Sequence, residues 1–333
     1  MNDWRCTMRH PFRSFAFAIV GVILAATTAQ AERPYRAPRT ALGQPDLQGF
    51  WVNYSLTPLE RPAGTPLVFP TRAEEEAFEA KARKSWHETE TSGLGQGVSE
   101  WHEYYPAARI DGRLRASWIV SPSDGRLPWR SEALARFDAL LAAALRDDAS
   151  GPEARTPMDR CLSPGLSSAG PPMLNPSVGA GKQIVQTRET VAILSEMNHD
   201  LRIVRLAPAP ARPMHAPAAI RPWMGDSVGW WEGETLVVET TNFHPQEAHR
   251  SHYLISPLAR VTERFTRVSA AELRYVFEVD DPVNYRQVWR GEMPFRADTG
   301  PIFEYACHEG NYSMTNILAA ARKADVEAAP VAP

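Results

Sequence analysis

A basic surplus is the first thing this chain lacks: 36 Lys and Arg stand against 39 Asp and Glu, for a formal net charge of -3. That balance supplies neither the positive field that nucleic acid binding needs nor a polybasic segment for an anionic membrane. Apolar runs of spanning length are also missing after the one at 15–26, so no transmembrane helix is expected beyond it. Catalytic motifs of known mechanism are absent too. No serine sits in a G-x-S-x-G elbow. The glycine-rich stretch at 93–97 has neither a preceding strand nor the Lys-Ser/Thr of a phosphate-binding loop, and reads as a flexible linker. Cysteine is scarce, with 3 in 333 residues, too few for a structural zinc site.

What is present begins with an export signal. Arg5, Arg9 and Arg13 precede the apolar run 15–26, and Ala29-Gln30-Ala31 forms a small-residue cleavage site, so the mature chain is expected to begin at Glu32 in the periplasm or outside the cell. The apolar run is shorter than the ~20 residues of a membrane anchor. Cys6 leaves with the signal. Cys161 and Cys307 remain as an even pair in an oxidising compartment, where a disulfide between them is expected.

Hydrophobic residues make up 44% of the chain and charged ones 23%, enough for a sizeable core. Residues 32–44 read as a flexible leader, 45–324 as one domain and 325–333 as a disordered tail. Period-two alternation dominates from residue 183 onward. It predicts eight antiparallel strands, at 183–188, 190–197, 201–206, 227–231, 236–241, 260–268, 272–279 and 285–295, with a further strand at 301–307. The stretch 223–243 is a hairpin turning at Glu232-Gly233. Another hairpin is expected about Asp111-Gly112-Arg113, flanked by 101–110 and 114–120. Helices are predicted over 71–86, where Thr71 and Glu74 form a capping box, and over 131–146 and 315–324. The fold class expected is mainly β, an antiparallel barrel with two or three peripheral helices.

Several blocks together resemble a family of uncharacterised secreted bacterial proteins: PDLQGFW (45–51), SDGRLP (123–128), DRCL (159–162), QIVQT (183–187), GDSVGWWEGETLVVETTNF (225–243), ERFTRV (263–268) and EYACHEGNY (304–312). The chain departs from that family's pattern at Trp230, where a basic residue is usual, and at Glu234, where Asp is usual. The resemblance implies a single domain with Cys161 paired to Cys307, and carries no activity. The glycine and tryptophan of the first strand, Gly49 and Trp51, are also similar to the opening of lipocalin-like barrels, whose tryptophan plugs one end.

Candidate chemistry clusters at 196–202. If Asn198 to Asp200 form a three-residue loop, Glu196 and Arg202 lie opposite each other with His199 at the rim. Glu196 would then act as acid or base and Arg202 as an anion clamp; the plainer reading is an ion pair contributing a few tenths to ~1 kcal/mol. Glu239 and Glu263 stand among apolar residues in strands, and either would have a raised pKa if it faced a barrel interior. Trp51, Trp230, Tyr275, Tyr305 and His308 are candidate ligand contacts. His244, His249 and His252 match no standard metal pattern and read as solvated loop residues. Cys307 beside His308 places neighbours on opposite faces of a strand, the wrong geometry for proton transfer. Two functions follow with nearly equal weight: a cofactor-independent acid/base enzyme (lyase, isomerase or hydrolase) acting on a small, largely apolar molecule, or a non-catalytic carrier of one. A third is a structural protein with a filled barrel.

Overall fold

The computed structural model describes residues 35–89, 105–145, 149–162, 169–175, 179–208, 210–248 and 252–328. The expected signal segment 1–31, the glycine-rich stretch 93–97, His249 and the end of the tail lie outside the described residues.

Alternation builds the strands and decides which way they face. In β11 (Glu272–Asp280) every second side chain is buried, and the same alternation runs through the first six residues of β10 (Arg260–Ser269) and the first five of β12 (Trp289–Asp298). Leu273, Tyr275, Phe277 and Val279 of β11 form one such row. Register between β11 and β12 places Phe277 opposite Gly291. A Cβ at Gly291 would stand 2.1 Å from the Phe277 ring, so only glycine fits there.

Nine strands close into a barrel. β1 (Gly49–Val52), β5 (Lys182–Gln186), β6 (Thr190–Ser195), β7 (Leu201–Leu206), β8 (Asp226–Glu232), β9 (Thr235–Thr241) and β10 to β12 follow in ring order, and β1 pairs with β12 to complete the ring. β4 (Ile119–Ser121) adds to β12 outside the ring. The expected hairpin about Asp111-Gly112 shrinks to β2 (Arg109–Ile110) and β3 (Arg113–Leu114), because the residues after it pair elsewhere. The β8–β9 turn falls on Gly233-Glu234, one residue later than expected.

An odd number of strands cannot close with every neighbour antiparallel, so one pair must run parallel. That pair is β7–β8, which corrects the all-antiparallel expectation. A parallel return needs a long connection to regain the starting end. The proline-rich stretch 207–225 provides it.

α1 (Arg72–Thr89) starts as its capping box predicts, with the Glu74 N–H donating to Thr71 Oγ1 at 3.3 Å and the Thr71 N–H to Glu74 Oε2 at 2.9 Å. α2 (Ser131–Leu145) also lies where the pattern placed it. α3 (Ser313–Ala328) runs four residues into the expected disordered tail. Residues 301–307 form no strand; they are an irregular segment tied down by the Cys161–Cys307 disulfide, with an S–S distance of 2.01 Å. No helix among the described residues is long and apolar enough to cross a membrane.

The barrel interior is filled, not hollow. Trp51, Phe265, Tyr275, Phe277, Trp289 and Phe295 are each at most 2% exposed, and they pack as one cluster with aliphatic side chains from β5, β6, β7, β9, β10 and β11. Aromatic side chains therefore occupy the centre of the barrel.

Candidate functional site

Three polar side chains nonetheless sit inside. Register carries Glu263 inward with Val261 and Phe265, and Arg202 inward with Val204. Across the interior, Arg202 Nη1 and Nη2 donate to Glu263 Oε2 and Oε1 at 2.7 and 3.1 Å, and the Tyr275 hydroxyl donates to Oε1 at 2.7 Å. Burial, reinforced by the Glu263 charge, pushes the Tyr275 hydroxyl well above its usual pKa. Glu263 is thus engaged on both oxygens. Lys182 lies on the same inward rows, 1% exposed, with Nζ donating to the Ala180 carbonyl at 3.1 Å. Desolvation lowers its pKa from 10.5 to about 7, against the pull of Glu196.

The expected Glu196–Arg202 pair does not form. β6 ends at Ser195, so Arg202 stands opposite Ile193, and Glu196 enters a 3-10 turn with its N–H bonded to the Gly181 carbonyl at 2.9 Å. Its carboxylate lies over Gly181, on the β5 side. Glu239 is corrected as well: it faces outward with Val237, not into the barrel. There it accepts from Arg260 at 2.6 Å and pairs with His215 Nε2 at 3.1 Å, while His215 Nδ1 lies 2.8 Å from Asp226 Oδ2. Those contacts clamp the 207–225 connection onto the outer wall. Burial disfavours the charges of Asp226 and Glu239, but the Ala216 N–H, His215 and Arg205 outweigh it at Asp226, and Arg260 and His215 do so at Glu239, so both carboxyls fall below their usual range.

The parallel pair leaves a gap in the wall. β7 and β8 are paired only over Val204 to Leu206 and Ser227 to Gly229, so Leu201, Arg202 and Ile203 have no β8 neighbour. Opposite them the chain at 222–226 swings away through Gly225, whose φ is +74° and whose missing Cβ would meet the Thr241 carbonyl oxygen at 2.6 Å. Between them lies a cleft of 590 Å³, the size of a small-molecule site. Arg202, Ile203 and Arg205 line one side and Trp223, Met224 and Asp226 the other, with His199, Asp200, Cys161 and Leu162 at one end. His199 Nδ1 lies 3.0 Å from the Tyr305 carbonyl, which can only accept, so Nδ1 is the donor in that contact.

Of the residues singled out from sequence, Arg202, Glu263 and Tyr275 meet in the interior, and Arg202 and His199 meet again at the cleft. Trp51 is a buried wall residue bonded to the Leu47 carbonyl. Trp230 lies on the outer face under the Arg212 guanidinium, 4.0 Å from its ring centre. Tyr305 borders a second cavity of 490 Å³ beside the disulfide, and His308 is exposed. Lys182, Asp226, Trp223 and His215 were missed. Lys182 had a signal, since it shares a face with Ile184 and Gln186; the others had none. Among the described residues no three His, Cys, Asp or Glu side chains are grouped to hold a metal ion. No family model matches the chain, and no curated protein matches its sequence.

Proposed function

We propose that this chain is an exported binding protein that takes a small molecule in the β7–β8 cleft. The observation that carries the reading is the gap itself: where β7 and β8 stop pairing, the wall opens into a cleft of 590 Å³. The charged groups at that wall, Arg202 with Glu263 inside and Arg205 with Asp226 outside, are paired with each other, which suits holding a ligand better than moving its protons. Export follows from the signal segment, and the disulfide suits an oxidising compartment. Intact mass of the exported protein should correspond to a start at Glu32; retention of residues 1–31 would count against export by cleavage.

A library of small amphipathic molecules screened by thermal shift should yield ligands that raise the melting temperature by mass action. Trp223→Ala should abolish that rise. Hits that stabilise the variant as well as the parent would place binding elsewhere. One observation favours the acid/base enzyme as a second reading: His199, the imidazole among the cleft's lining residues, is oriented by the Tyr305 carbonyl. Turnover of a bound ligand that disappears in His199→Gln, with binding retained, would move the assignment to an enzyme.

A further inference from the structure

The gap between β7 and β8 also specifies what kind of molecule fills it, an inference that rests on the binding reading above. In β7 the Asp200 carbonyl accepts from the Ser195 N–H at 2.8 Å and the Leu206 N–H donates to the Glu189 carbonyl at 2.7 Å, so the even-numbered residues bond towards β6. Leu201, Ile203 and Arg205 therefore aim their backbone groups, in the plane of the sheet, towards β8. The parallel register begins at Val204 opposite Ser227, which gives Ser227 the Ile203 carbonyl and the Arg205 N–H as its two partners. One step back along the ladder, the Leu201 carbonyl and the Ile203 N–H form the next such pair. Gly225 would fill it if β8 continued. Instead the Gly225 N–H donates to the Pro222 carbonyl at 3.0 Å, and the pair is left without a strand partner among the described residues. A donor and an acceptor at this spacing are a template for one extended residue.

A residue in that place would stand level with Arg202 and turn its side chain inward, where the barrel is filled. Ser227 and Gly229, next on the same inward row, are small, and a Cβ on Gly229 would meet Val204 Cγ1 at 2.7 Å. Its two neighbours would turn outward, level with Leu201 and Ile203, which are 52% and 45% exposed, and against Trp223 and Met224. Both arginines of the lining are spent on carboxylates, so the cleft offers no guanidinium for a charged C-terminus. We propose that the cleft binds a short extended peptide of the pattern apolar-glycine-apolar, laid parallel to β7 in line with β8. Its glycine N–H donates to the Leu201 carbonyl and its glycine carbonyl accepts from the Ile203 N–H.

Titration of the exported, isotope-labelled protein with acetyl-Leu-Gly-Leu-amide, followed by amide NMR, tests the assignment against two ester analogues. In the first, glycolate replaces glycine, so an ester oxygen stands where the glycine N–H was. In the second, the same exchange is made at the third residue, whose N–H points away from β7. The peptide should bind saturably, the first ester about fivefold or more weaker, as one lost hydrogen bond implies, and the second within about twofold of the peptide. In the free protein the Ile203 N–H should exchange with solvent faster than the Arg202 N–H, and bound peptide should slow it about tenfold or more. Equal affinity of the two esters, or an Ile203 exchange rate that bound peptide leaves unchanged, would overturn the peptide assignment and leave the cleft reading standing. The same holds if the peptide fails to bind while ligands from the thermal-shift library bind and are lost in Trp223→Ala. Binding of neither the peptide nor any library member would remove the cleft reading, and this inference with it.

Discussion

Arg202 is held inside the barrel as half of a buried ion pair, and its residue also lines the cleft. Its charge is tolerable at 3% exposure only because Glu263, at 0%, is its partner, and each would be stranded without the other. Removing one member of a buried pair leaves an uncompensated charge, which typically costs ~3–5 kcal/mol, whereas replacing both is often nearly neutral. Arg202→Met alone should therefore lower the urea midpoint sharply. Adding Glu263→Gln should restore most of it. Equal losses in the single and double variants would mean that the pair is not coupled. Glu196, in contrast, is half-buried on the far side of the β6 turn and takes no part in this pair.

At the level of elements, the parallel β7–β8 pairing and the disulfide meet at the same place. Cys161 and Leu162 line one end of the cleft, and His199 holds the Tyr305 carbonyl two residues before Cys307. The cross-link spans a sequence separation of 146, so by the chain-entropy model it removes on the order of 5 kcal/mol of unfolded-state freedom. Cys161→Ser with Cys307→Ser should lower unfolding free energy by a few kcal/mol, on the scale of that estimate, and weaken ligand binding because one end of the cleft is released. A urea midpoint indistinguishable from that of the oxidised parent would contradict the first expectation. Unchanged ligand affinity would contradict the second.

For the whole molecule, the buried Lys182 gives stability a definite pH dependence. Folding lowers its pKa from 10.5 to about 7, so below about 7 both states carry the proton and the burial penalty is fully felt. Between those values the unfolded chain binds more protons than the folded one, and stability rises with pH. The tyrosines act in the opposite sense at the top of the range. Tyr105 is raised by burial to about 12 and Tyr285 well above 10, so folded molecules keep protons that unfolded ones have lost, and stability falls above about 10. Urea midpoints measured from about pH 6 to pH 10 should climb in the parent, and Lys182→Met should flatten the climb. A parallel climb in the variant would show that Lys182 is not its source.

The sequence by itself determined what is local. The Thr71 and Glu74 capping box placed α1, and the alternation of Leu273, Tyr275, Phe277 and Val279 placed β11, because caps and period-two patterns act over a few residues. The expectation of export, which sets Cys6 aside, was enough to point to the Cys161–Cys307 pairing. Tertiary structure decided the rest. Val237 and Glu239 share one face of β9 and Leu236 and Val238 the other, so alternation alone could not say which face turns inward; pairing with β10, where Phe265 and Val261 are buried, settled it. Arg202 and Glu263 are 61 residues apart and meet only through closure of the ring. The cleft has no sequence signature at all, because it arises from strand parity: a nine-strand ring must contain a parallel pair, and that pair is where the wall stays open.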